Sequence, residues 1–139
     1  MNTPATTKPA RVGLAVNLLY AGIALSVVAF IVGFAKASSA PQDSSSAIIA
    51  GVIGGGILSI ALALWFTIMI ARGKNWARVI FLVLLVIGVV LDLTQLGHLF
   101  SFNPINGVLN IIETLLQLAA AWLLFTGESP AWFTGSSGQ

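Results

Sequence analysis

Residues 77–99 read ARVIFLVLLVIGVVLDLTQLGHL, and the stretch 79–91 inside them carries no polar side chain. A helix rises 1.5 Å per residue, so this segment reaches about 35 Å, enough to cross a hydrocarbon core about 30 Å thick. In lipid every unpaired backbone group costs several kcal/mol, so the segment must be helical. The strands of a membrane barrel would be shorter and would alternate in polarity. Working outward, segments 12–35, 47–71 and 105–125 meet the same length criterion. The fold expected is an all-α membrane protein, an up-down bundle of four transmembrane helices.

Composition agrees with this reading. Of 139 residues, 58% are hydrophobic and only 7% charged, whereas a soluble domain carries roughly 25% charged residues. A water-exposed fold with so few charges would present large apolar patches and aggregate. The net charge of +2 rests on six Lys and Arg placed beside apolar spans. Nucleic acid is not expected as a partner, because phosphate recognition needs a clustered basic face. There is no cysteine, which excludes disulfides and thiolate chemistry.

The breaks between spans have local causes. Residues 40–46, Ala-Pro-Gln-Asp-Ser-Ser-Ser, are polar, contain proline and are rich in types that cap helix N-termini. Arg72-Gly73-Lys74-Asn75 joins a helix-ending glycine to cations that suit a helix C-terminus. Asn103-Pro104 reads as an N-cap followed by proline at the first helical position. Residues 1–10 are expected to be a disordered cytoplasmic N-terminus, 11–133 the transmembrane domain, and 134–139 a disordered tail. Residues 1–37 share features with a cleavable signal, but their apolar stretch exceeds a usual core of about 7–15 residues.

Orientation follows the cations. Lys8 and Arg11 precede the first span, and Arg72, Lys74 and Arg78 surround the second connection, against Lys36 alone on the other side. Both termini are therefore expected in the cytoplasm. Arg72, Lys74, Trp76, Arg78 and Trp132 are the expected interfacial anchors, with Trp65 and Trp122 toward the same end, since indoles favour the membrane–water boundary.

Span two places Ala47, Gly51, Gly55, Ser59 and Ala63 at four-residue intervals, with Gly54 and Gly56 nearby. Such small-residue patterns let another helix approach closely, and packing within the monomer is favoured here over a contact between copies. Asn17 and Tyr20 on span one are expected to be interhelical hydrogen-bond partners.

The chemistry lies in spans three and four. Asn106, Asn110, Glu113 and Gln117 share one face of the fourth helix, and Gly88, Asp92 and Gln95 form a similar stripe on the third. Asp92 stands about 21 Å along its helix from Arg78, and Glu113, counted from the opposite end, falls at a comparable depth. The two acids are expected in the outer half of the bilayer. A carboxylate at a helix centre costs about 2.5–3.5 kcal/mol on insertion scales, so the stripe must face protein or water. No cation reaches that depth from the basic side, and at least one of the two acids is expected to be neutral. Asp92, Gln95, Asn106, Asn110, Glu113 and Gln117 are thus the candidate intramembrane polar network.

Two functional classes follow. Neutral acids and amides can hydrogen-bond across helices and fix their register, at about 0.6 kcal/mol per contact. Alternatively, Asp92 and Glu113 can exchange protons or line a solute route, with His98 near the outer mouth, because intramembrane acids are functional candidates by default. The halves of the chain do not repeat, which gives no support to an inverted-repeat transporter. An enzyme is not expected: a lone histidine cannot supply a bis-histidine site, and no HExxH, phosphate loop or metal spacing occurs. Nor is a cofactor. The reading is a structural or protein-interaction role, with proton-coupled or small-solute transport as the alternative. Partners would be the lipid bilayer and either another membrane protein or a second copy.

Gly73-Lys74-Asn75-Trp76-Ala77-Arg78, then Leu123-Leu124-Phe125 and Ser129-Pro130-Ala131-Trp132-Phe133, resemble a group of small uncharacterised bacterial four-helix membrane proteins. The resemblance covers roughly the C-terminal half. It implies a bacterial inner membrane and nothing catalytic.

Overall fold

The chain, seen in a computed structural model that describes residues 7–39 and 41–136, forms five helices. They are α1 Ala10–Ser38, α2 Gln42–Ala71, α3 Asn75–Phe102, α4 Pro104–Phe125 and α5 Ser129–Ser136. The first four are long and apolar enough to cross a membrane, and each contains one of the expected spans.

Local chemistry sets the boundaries. At the end of α2, Gly73 takes φ 78, its N–H donates to Ile70 O and the Lys74 N–H donates to Met69 O. These paired bonds make a Schellman stop, and the positive φ is what glycine adopts without a Cβ penalty. At the start of α4 the Asn103 side chain accepts from Ile105 N at 3.1 Å, which caps the helix with Pro104 in its first turn. The polar connection at 40–46 proves shorter than its composition implies. Pro41 directly precedes α2, its fixed φ of -54 suiting a helix entry, and Gln42 already begins the helix.

The C-terminal region also departs from expectation. Helix α5 runs through Ser136, covering part of the tail expected to be disordered from residue 134. It is held by Phe133, which is fully buried, and by Ser129, whose hydroxyl donates to Leu123 O at 2.7 Å. The expectations for residues 1–6 and 137–139 lie outside the described residues.

The helices form a ring in which α1 packs most extensively against α4, then against α2, while α3 packs on α4. The α2–α3 contact is the weakest of the four sides. The apolar core sits at one end, where Val12, Ala15, Val16, Leu19, Ile70, Ala77, Leu124 and Phe133 meet. That end also carries Arg11, Arg72, Lys74 and Arg78, and is called the basic end below. Elsewhere large apolar side chains face outward, among them Leu58, Leu93, Ile105 and Leu115. In water this surface would be untenable; in a bilayer it is the lipid-facing wall. The protein is a multi-pass membrane bundle.

Candidate functional site

Small residues on α1 let α4 come close. Gly22 and Gly33 are buried on α1. A Cβ on Gly22 would stand 3.8 Å from Glu113 Cγ, and one on Gly33 would stand 3.1 Å from Asn106 Nδ2. Ser26, one turn beyond Gly22, donates to Glu113 Oε1 at 2.6 Å and lies 3.2 Å from Gly22 O. Gln117, one turn along α4, donates its Nε2 hydrogen to the same Oε1 at 3.1 Å. A second link joins α3 to α4, where Thr114 Oγ1 donates to Asp92 Oδ2 at 3.4 Å.

Both acids line one cavity of about 250 Å³ to which all four long helices contribute. Its polar groups are Ser59, Thr67, Asp92, Glu113, Thr114 and Gln117, and its walls include Leu19, Phe66, Phe81 and Leu85. The site is therefore an amphipathic chamber lined by acceptors and by aromatic and aliphatic surface.

Of the six expected network residues, Asp92, Glu113 and Gln117 come together here. Asn106 packs against Gly33, with its Oδ1 buried and unbonded. Asn110 is half-buried and Gln95 exposed, and neither makes a side-chain hydrogen bond among the described residues. His98 is likewise exposed. Asn17 and Tyr20, expected between helices, face outward from α1; the buried face of that helix runs through Ala15, Leu19 and Gly22 instead.

The small-residue stripe on α2 does not form one packing groove. A four-residue step overshoots a helical turn by about 40°, so the five positions from Ala47 to Ala63 sweep through about 160°. Ser59 and Ala63 reach the cavity, but Ala47, Gly51 and Gly55 are exposed. A Cβ on Gly51, Gly54 or Gly55 would meet nothing within 4 Å. Close approach to α1 occurs at Gly56, against the Phe30 ring. The close-packed small residues lie on α1, where Ala15, Gly22, Gly33 and Ala37 are buried. Their spacing, completed by Leu19 and Ser26, follows steps near three and a half residues, a signal present in the sequence.

The anchors also divide. Arg72, Lys74 and Trp76 are exposed, and Trp76 lies 5.5 Å from Trp65 between ring centroids. Arg78 is turned inward and only 7% exposed. Its Nε donates to Asn75 Oδ1 at 2.7 Å and its Nη1 to Leu124 O at 3.0 Å. The guanidinium stacks 4.9 Å from the Phe125 centroid and 4.7 Å from that of Phe133. A planar, weakly hydrated cation suits this sandwich, which an ammonium could not fill. Trp132 is half-buried and meets the Phe133 ring edge to face, 4.9 Å between centroids.

Compared with protein-family models, curated proteins and solved structures, the chain shows no significant match.

Proposed function

We propose that this protein is a non-enzymatic component of the bacterial inner membrane, with both termini in the cytoplasm, whose polar network fixes helix register for a structural or protein-interaction role. The observation that carries the reading is the double acceptance at Glu113 Oε1, from Ser26 on α1 and Gln117 on α4. A hydrogen bond between helices in lipid is directional even when it contributes only about 0.6 kcal/mol. The outward glycines Gly51, Gly54 and Gly55 support an interaction role, because another helix can approach such a surface closely. The distribution of cations supports the orientation.

The shared cavity favours a second reading, transport of protons or a small solute through Asp92 and Glu113. Amide substitutions separate the two. Asp92→Asn and Glu113→Gln keep shape and hydrogen-bonding capacity while removing the titratable proton. On the structural reading both variants insert, fold and retain wild-type behaviour in cells, whereas Glu113→Leu weakens the bundle by leaving Gln117 without its acceptor and removing the Ser26 bond between α1 and α4. Proton flux in reconstituted vesicles that disappears in either amide variant, with folding intact, would overturn it.

A further inference from the structure

Each intramembrane carboxyl group keeps one oxygen without a protein donor. Glu113 receives both of its donors on Oε1, and Asp92 receives Thr114 on Oδ2. Among the described residues nothing donates to Glu113 Oε2 or Asp92 Oδ1, and no Lys or Arg pairs with either acid. Both acids line the same cavity of about 250 Å³, whose lining is otherwise largely apolar and includes Leu85, Gly88 and Val89. An apolar guest would leave two carboxyl oxygens unsolvated, which is costly in a low-dielectric setting. A hydrated inorganic ion would leave the apolar walls unused. A molecule with an ammonium at one end and an apolar body at the other satisfies both surfaces, since its N–H groups reach the free oxygens and its body covers the apolar wall. Size limits it further: a cavity of roughly 150 Å³ holds a benzene ring, so this one takes a single ring with a short chain.

The route in is lateral. Leu62 and Leu84 line the cavity yet remain 44% and 47% exposed. Each stands nine residues from its end of the α2–α3 connection, at Ala71 and Asn75, and so at one depth, about 14 Å in. They lie on the two neighbouring helices in least contact. The basic end is closed by Ile70, Ala77, Leu124 and Phe133.

We propose that this chamber is a binding site for a small ammonium-bearing amphiphile drawn sideways from the bilayer between α2 and α3, its ammonium held by Asp92 and Glu113. The proposal goes beyond the structural role and does not require the ligand to cross the membrane.

The test uses the full chain in zwitterionic nanodiscs at neutral pH, titrated with 2-phenylethylammonium and with its neutral counterpart 2-phenylethanol, against empty discs. The ammonium binds saturably at one site per chain, about tenfold or more tighter than the alcohol. Combined Asp92→Asn and Glu113→Gln brings it to the level of the alcohol. Gly88→Leu, at a cavity-lining position where a Cβ meets nothing within 4 Å, fills the chamber and removes binding without depending on the acid variants folding. Absence of saturable ammonium binding overturns the proposal. So does equal affinity for the two probes, or ammonium binding that survives Gly88→Leu in a folded variant.

Discussion

Replacing Arg78 should loosen the basic end of the bundle and free α5, and the size of the effect can be worked from its contacts. The bond from Nη1 to Leu124 O satisfies a carbonyl in the last turn of α4, and a charged donor in such a bond is worth about 1.5–3 kcal/mol. The bond to Asn75 Oδ1 is made within one turn of α3 and is worth about 1 kcal/mol. Stacking on Phe125 and Phe133 adds about 0.5–1 kcal/mol per ring. Against these stands the desolvation of a guanidinium that is 7% exposed and has no carboxylate partner among the described residues, a penalty of several kcal/mol for a buried ion and less near an interface. Arg78→Met keeps the apolar contact with both rings, loses the donors and relieves the desolvation. A net loss of about 1–3 kcal/mol follows, mostly from the stranded Leu124 carbonyl. Arg78→Ala also opens a void beside Phe133 and should lose about 3–4 kcal/mol.

Unfolding in mild detergent measures both losses. Trp132, edge to face with Phe133, reports α5 separately when Trp65, Trp76 and Trp122 are changed to Phe; its emission should shift to the red in Arg78→Ala. An Arg78→Met variant as stable as the parent, with unshifted Trp132 emission, would show that Arg78 only marks the interface and that α5 docks without it.

The glycines of α2 should behave unequally. Gly56→Val forces the Phe30 ring away and should cost about 1–3 kcal/mol by overpacking, while Gly55→Leu, pointing into open space, should leave monomer stability within about 0.5 kcal/mol. Equal losses in detergent unfolding would place Gly55 in a contact the monomer lacks. For orientation, a reporter active only in the cytoplasm should work when fused after Gln139 and be silent when inserted at Ser45; the opposite pattern would reverse the topology drawn from the cations.

Sequence alone determined the number of spans, their extents within a few residues and the local stops at Gly73 and Asn103. These depend on hydropathy, chain rise and backbone geometry, which are properties of short segments. It also marked Asp92, Glu113 and Gln117, since a polar side chain in an apolar span needs a non-lipid partner whatever the arrangement. What it could not fix was which helix supplies that partner. The four-residue stripe on α2 drew attention as a groove, yet drift about the helix axis turns its first half to the outside. Meanwhile Gly22, Ser26 and Gly33 on α1 receive α4, and their spacing is as visible in the sequence as that of α2. Choosing between two small-residue faces depends on how four helices close into a ring, where the area buried by all of them is weighed together. Arg78 shows the same limit from the other side. Its position beside the connection identified a boundary cation, but only the fold of α5, which brings Phe133 over the guanidinium, turned that cation inward.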